Sequence, residues 1–175
     1  MSSPPFKVAS LNVAHDRTVF NSGSERLDRY FREQVTQDVR RRVAACFVVL
    51  NDKQRIAGYY TLASTSILLA DLPTTTAKKL PRYPTVPAVL MGRLAVDQSF
   101  KGQGLGGALL ADALDRAIRS EIAAYALMVE AKDVVAVAFY RHHGFIALPD
   151  LPLTLFLPLA TALAFSKTNQ KEPKL

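Results

Sequence analysis

Cysteine is almost missing from this sequence. The single one, Cys46, excludes an internal disulfide framework and any cysteine-based zinc site. Histidine is scarce as well: His15, His142 and His143 show no HExxH spacing, so no catalytic metal is expected. Long hydrophobic runs are lacking. The two uncharged stretches, Ile56–Ala70 and Leu151–Phe165, fall short of the ~20 residues of a spanning helix. Both read as buried strands, and no membrane role is expected. The opening Met-Ser-Ser-Pro-Pro-Phe-Lys has no basic region followed by an apolar one, so no signal peptide is expected and the cytoplasm is the expected setting.

What is present describes a folded, basic protein. With 49% apolar and 21% charged residues, the chain is too hydrophobic to be a disordered polymer. Its 175 residues suit one domain, expected over residues 1–165, with Ser166–Leu175 as a polar, disordered tail. Lys and Arg number 22 against 15 Asp and Glu, and the tail accounts for only two of the seven net positive charges. The folded part therefore favours a polyanion, either nucleic acid or a ligand carrying several phosphates.

Periodicity places the elements. Asn21-Ser22-Gly23-Ser24 signals a turn and a helix cap. Leu27, Tyr30, Phe31, Val35, Val39 and Val43 follow at helical spacing. Val43–Leu50 and Arg55–Leu69 read as an antiparallel pair joined at Asn51–Gln54. Four prolines between Asp71 and Pro87 allow only a short helical turn near Thr74–Lys79. A strand over Ala88–Val96, a glycine-rich turn over Gly102–Gly107 and a helix over Ala108–Arg119 come next. Ala123–Ala131 is expected as a strand, Asp133–His142 as a helix stopped by Gly144, and Phe145–Leu148 and Leu153–Leu157 as closing strands. Hairpin order followed by strand–helix–strand predicts a mixed α/β sheet flanked by helices.

The segment Gly92–Gly107 carries the chemistry. Glycines at a strand-to-helix turn let backbone amides approach a ligand, and the helix behind them aims its free N–H groups at the same point, which suits a pyrophosphate. A Walker A loop is excluded, because no Gly-Lys-Ser/Thr follows. Gly102, Gly104 and Gly107 match GxGxxG by letter, with Glu130 at a later strand end. However, Gln98–Lys101 separates the glycines from the strand, and only about 45 residues remain after Glu130, too few to complete a dinucleotide sheet.

The segment instead resembles the acyl-CoA motif of the GCN5-related N-acetyltransferases, Q/R-x-x-G-x-G/A, here Lys101-x-x-Gly104-x-Gly106 with a lysine in the first place. Phe139-Tyr140-Arg141-His142-His143-Gly144-Phe145 resembles the family's second signature, Y-x-x-x-G-F, about 35 residues later. The likeness extends to one branch, the acetyltransferase toxins of type II toxin–antitoxin systems. It rests on Phe20–Gly23, Leu27–Phe31, Leu80–Pro84, Gly92–Asp97 and Asp150–Leu157, and covers about Phe20 to Leu157. Ser22 stands where that branch often has cysteine.

The resemblance implies a central, mostly antiparallel twisted sheet with a parallel strand pair splayed at the CoA site. It implies acetyl-CoA as co-substrate, no metal, and acetylation of the amino group of aminoacyl-tRNA, which blocks translation. It also implies a ribbon–helix–helix antitoxin that carries any DNA binding and repression, and a homodimer. Backbone and side-chain contacts to acetyl-CoA are expected from Leu94, Ala95, Val96, Lys101, Gly102, Gln103, Gly104, Leu105, Gly106, Gly107 and Phe139. The side chains of Leu94 and Val96 are expected in the core. Tyr140 is the expected general acid, since a phenol near pKa 10 is protonated at working pH. Arg40, Arg41, Lys78, Lys79, Arg82 and Arg93 are the expected tRNA contacts, with Arg40–Arg42 also placed to cap a helix end. His142 and His143 are expected as solvated helix-end residues, and Cys46 as a small buried hydrophobe. The competing readings are an acetyltransferase acting on a small amine or a protein N-terminus, and a non-catalytic CoA- or RNA-binding regulator.

Overall fold

The computed structural model describes residues 5–170, and the side chains of 165–170 are not among what it describes. The strands are β1 (Phe6–Ser10), β2 (Ala45–Asn51), β3 (Ile56–Leu68), β4 (Thr85–Val96), β5 (Ala126–Glu130), β6 (Ile146–Leu148) and β7 (Leu151–Pro158). They form one mixed sheet in the order β1-β2-β3-β4-β5-β7-β6, with β4 and β5 parallel. The helices are α1 (Glu25–Arg29), α2 (Val35–Arg40), α3 (Thr74–Ala77), α4 (Leu105–Arg119), α5 (Val134–His142) and α6 (Leu159–Gln170). The chain divides into two compact units, Met1–Ala63 with Met91–Ala113, and Ser64–Leu90 with Leu114–Leu175.

In the first unit, β1 and β3 flank β2 antiparallel, with Val8 opposite Val49 and Phe47 opposite Tyr60. Its core is aromatic. Phe31 and Tyr59 stack at 4.1 Å between ring centroids, and Phe20 meets both edge-on. Such pairs add about 0.5–1.5 kcal/mol each beyond the area they bury. The Tyr59 hydroxyl donates to the Leu27 carbonyl at 2.7 Å, so the buried phenol keeps a partner. Ser24 caps α1 by accepting from the Leu27 amide. Between α1 and α2 the chain widens into a π-helical turn over Tyr30–Gln34.

The helix expected to reach Val43 stops earlier. Arg41 is the C-cap of α2 and Arg42 is left-handed at φ 61°. The Val43 amide reaches the Asp38 carbonyl and the Arg42 amide the Val39 carbonyl, the paired bonds of a Schellman stop. Val43 therefore lies past the helix and Val39 on its last turn, and both are exposed despite their spacing. The three arginines are not consecutive helical residues, because the chain turns at the third.

In the second unit, β7 pairs antiparallel with β5 and β6. Ile67, Leu72, Val86, Ala88, Ala126, Met128, Leu148 and Phe156 make its core. Two expectations need correction here. Leu151–Phe165 is not all strand: Pro158 ends β7, and the Leu/Ala-rich segment after it is α6, held at its start by the Leu159 amide on the Tyr125 carbonyl. The expected tail begins inside this helix, which runs to Gln170, and residues 171–175 lie outside the described ones. The N-terminal strand β1 was not anticipated at all.

Candidate active site

In the first unit, β4 ends at Val96 and delivers Asp97, which is 1% exposed. Its carboxylate accepts from the Ser99 amide at 2.8 Å, capping a single 3-10 turn over Gln98–Phe100. The guanidinium of Arg55 stands 3.5 Å from that same oxygen, and the other oxygen accepts from the Asn21 amide at 2.9 Å. The chain then passes Lys101, whose ammonium donates to the Ser22 carbonyl at 2.9 Å. Gly102 and Gly104 follow, with φ of +82° and +75°. A methyl group added at either would meet nothing within 4 Å. The left-handed backbone favours glycine there, and the space above the turn is open.

Helix α4 begins one residue later, ahead of the expected Ala108, so Gly106 and Gly107 form its first turn. Its first backbone bond runs from the Ala108 amide to the Gly104 carbonyl. The amides of Leu105, Gly106 and Gly107 therefore precede the hydrogen-bonded ladder, and no acid occupies the first turn. Open amides at the positive end of a 15-residue helix form an anion seat. On β4 itself the expectation about side chains is reversed. Ala95 is the buried one, in the aromatic core, while Leu94 and Val96 are half-buried on the other face. Strand alternation forces that choice once Ala95 faces inward.

In the second unit, α5 opens on Asp133, whose carboxylate accepts from the Ala136 amide at 2.8 Å. It ends in a second Schellman stop. Gly144, at φ +90°, bonds the Arg141 carbonyl through its amide, and the Phe145 amide bonds the Tyr140 carbonyl at 3.1 Å. A Schellman stop is usually sealed by an apolar contact between the third residue from the end and the second beyond it. Here those residues are Tyr140 and Phe145, with ring centroids 5.5 Å apart. The spacing Tyr-x-x-x-Gly-Phe is thus one structural device that fixes a tyrosine ring. Phe139 meets Tyr140 edge-on at 5.2 Å.

Burial of that ring pushes the Tyr140 phenol up to about 12. No hydrogen bond among the described residues engages its hydroxyl, and no buried side-chain polar atom there lacks a partner, so the oxygen reaches the surface. The group is a protonated phenol with a fixed ring and an open hydroxyl.

A family model described as the acetyltransferase (GNAT) family matches residues 11–145. The chain belongs to that family. It is therefore an acetyl-CoA-dependent N-acetyltransferase. It is also similar to a tRNA-acetylating toxin of Mycobacterium tuberculosis, 39% identical over 88% of this chain and 92% of that protein. Among solved structures it is similar to AtaT complexed with acetyl-methionyl-tRNAfMet, at TM-score 0.85 and 28% identity, covering 92% and 99% of the two chains. The AtaT–AtaR complex bound to DNA matches at TM-score 0.73 and 26% identity, covering 91% and 99%.

The remaining charged residues of this acetyltransferase separate by surroundings. The Arg93 guanidinium lies 3.4 Å over the Tyr30 ring. The Tyr30 hydroxyl donates to Asp38 at 2.8 Å, and Gln34 donates to the other Asp38 oxygen. Those two bonds, with Arg93 and Arg41 nearby, hold the Asp38 carboxyl below its ordinary range. Burial and the Asp38 bond push the Tyr30 phenol well up. Arg40 closes α2 and is exposed. Lys78, Lys79 and Arg82 follow α3 in close succession, all exposed.

His142 and His143 are exposed, and partial burial together with the neighbouring His142 lowers the His143 pKa. Cys46 is buried and its thiol is pushed up to about 12 by desolvation. Glu130 is exposed at the end of β5. Among the described residues no group of three or more His, Cys, Asp or Glu could hold a metal, and no helix is long and apolar enough to cross a membrane. Sequence reasoning missed Asp28, Asp97 and the Tyr30–Asp38 pair. The available signal was the donor-rich turn Asn21–Ser24, which needs an acceptor when buried.

Proposed function

We propose that this acetyltransferase is the toxin of a toxin–antitoxin pair and acetylates the α-amino group of aminoacyl-tRNA. The observation that carries the reading is the open, amide-lined turn Lys101–Gly107 in a chain whose net charge is +7. The 39% identity to a tRNA-acetylating toxin supports the acceptor, and the AtaT–tRNA structure supports it again. Amides from Gly102 to Gly107 bind the diphosphate of acetyl-CoA, and the backbone of Leu94–Val96 binds its pantetheine arm, with Phe139 against the cofactor. The family match spans residues of both compact units, which supports one acetyltransferase domain over residues 1–165.

The reaction needs a neutral amine, and an α-amino group titrates near 8, lower when its carboxyl is esterified. A strong general base is dispensable. The amine nitrogen attacks the thioester carbonyl, its proton leaves to solvent, the C–N bond forms and the C–S bond breaks. Tyr140 gives its proton to the departing thiolate and regains one from water. Main-chain donors polarise the carbonyl oxygen as an oxyanion hole does. Arg40, Arg41, Lys78, Lys79, Arg82 and Arg93 contact tRNA phosphates. The partner is a ribbon–helix–helix antitoxin through which any DNA binding runs, as the AtaT–AtaR complex on DNA supports. The toxin acts as a homodimer in the cytoplasm.

Mass spectrometry of aminoacyl-tRNA after incubation with labelled acetyl-CoA tests the reading, with label expected on the amino acid. A salt titration separates acceptors: tRNA turnover falls steeply with ionic strength, whereas turnover of a small amine barely responds. Label on small amines alone would replace the acceptor, and no acetylation with bound CoA would leave a regulator.

A further inference from the structure

The glycines of the proposed phosphate-binding turn have no packing behind them. Gly102 and Gly104 pack against no protein atom on the side where a Cβ would stand, and Gln103 between them is exposed. The linker before the turn is tied to β3 and its turn, by the Asp97 amide on the Ala57 carbonyl and by Arg55 on Ser99 and Asp97, and to a stretch about eighty positions before Lys101. Residues 21 and 22 bind it at three points: the Asn21 amide on the Asp97 carboxylate, the Gln98 amide on the Asn21 carbonyl at 2.8 Å, and the Lys101 ammonium on the Ser22 carbonyl. Those points span the whole linker from the end of β4 to the first glycine.

Ser22 is in turn held by a second buried carboxylate. Asp28, on α1 and 5% exposed, accepts from the Ser22 hydroxyl at 2.7 Å and from the Ser22 amide at 3.0 and 3.2 Å. Bonds to an ionised acceptor are roughly twice as strong as neutral ones, and a buried carboxylate needs all of them. The Ser22 backbone is therefore held at both ends of the residue, by Asp28 at its N–H and Lys101 at its carbonyl. The ammonium of Lys101, expected from the sequence among the acetyl-CoA contacts, is committed to this clamp.

We infer that Asp28 is a positioning residue for the acetyl-CoA diphosphate, acting through Ser22 and Lys101 to set the place of the turn before α4. The inference rests on the proposed seating of the diphosphate at Lys101–Gly107. Asp28 itself touches no substrate. Its removal lets the turn drift, and displacement of a seat by about 1 Å costs up to 10²-fold in kcat/KM.

Asp28→Asn and Ser22→Ala test this in the full-length protein, with two acetyl donors. Acetyl-CoA carries the diphosphate and S-acetylpantetheine lacks it. Each variant is expected to lower kcat/KM for acetyl-CoA about 10–100-fold, chiefly through KM, and to leave kcat/KM for S-acetylpantetheine at the wild-type value. Lys101→Met is expected to reproduce the loss, and the Ser22→Ala/Lys101→Met double variant to lose no more than the worse single one, because both act through the one residue Ser22. Equal losses with both donors would mean damage to the fold at large and overturn the inference. So would wild-type KM for acetyl-CoA in the variants, or losses at Ser22 and Lys101 that multiply. Should Asp28→Asn not fold, Ser22→Ala, which removes one hydroxyl, gives the same comparison. Failure of wild-type protein to bind CoA in calorimetry is a different result, and strikes the proposed seat itself.

Discussion

Replacing Tyr140 with phenylalanine removes one oxygen and keeps the ring that Phe145 and Phe139 hold. The Schellman stop and the burial of the ring are unchanged, so thermal stability and CoA binding are expected at wild-type values. The rate is another matter. A positioned general acid contributes roughly 10²–10⁴-fold. Burial pushes this phenol up to about 12, so at pH 8 only ~1 in 10⁴ molecules carries the tyrosinate. The same burial weakens the acid: against a thiolate near pKa 8.5, full transfer is uphill by roughly three to four pH units. In the proposed mechanism the Tyr140 hydroxyl therefore hydrogen-bonds the sulfur as charge develops there, and completes the transfer only as water returns a proton to the phenolate. The expected loss in Tyr140→Phe lies at the lower end, about 10²–10³-fold in kcat, or ~2.7–4 kcal/mol. The wild-type pH profile should rise with the amine's deprotonation and show no descending limb below about pH 11. Initial rates with labelled acetyl-CoA and purified aminoacyl-tRNA, from pH 6 to 10, measure both. A variant within threefold of wild type, or a wild-type limb descending between pH 8 and 10, would refute the assignment.

Gly144→Ala places a side chain at φ +90°, where strain costs about 1–2 kcal/mol. A lowered Tm together with a fall in kcat, not in CoA affinity, is expected, because this stop fixes Tyr140. Arg42→Gly is expected to do the reverse and raise stability by about 0.5–1 kcal/mol in a denaturant titration, since the left-handed position at the end of α2 then holds glycine. Folded protein should resist thiol reagents at pH 8, because Cys46 is buried and its thiol lies near 12. The sign of its pH dependence follows: stability from this group is whole below pH 9 and is lost as pH climbs towards 12, and Cys46→Ala flattens that loss in alkaline melts. Arg93→Ala should raise KM for tRNA and reduce the salt slope by about one, leaving KM for acetyl-CoA unchanged.

The parts of the fold legible in sequence were those written in short-range signals. Ser24 and Asp133 announced helix starts by their side chains, and Gly144 announced a stop by its missing one. The two motifs were legible because each is local geometry: a turn before a helix, and a ring sealed over a helix end. β1 was not legible because Phe6–Ser10 is short and pairs only with residues forty positions on. α6 was hidden because its Leu/Ala run continues the apolar pattern of β7, and only Pro158 separates them. Asp28 and Asp97 were given no role of their own from the sequence. Their burial depends on amides of residues 21, 22 and 99, and backbone donors leave no trace in a list of side chains. The stacking of Arg93 on Tyr30 has the same origin, in a pairing of distant segments.

The wide turn at Tyr30–Gln34 makes segment length a functional quantity. In an unbroken α-helix, eight positions advance about 800°, leaving Asp38 roughly 80° round the axis from Tyr30. The wider turn removes most of that offset, and the carboxylate comes under the phenol that carries the Arg93 guanidinium. Deleting Arg32 or Glu33 would leave every side chain of this network in the protein and still unseat the arginine. Side chains on the solvent side of this stretch can be exchanged without moving that contact, whereas a shortened stretch breaks it.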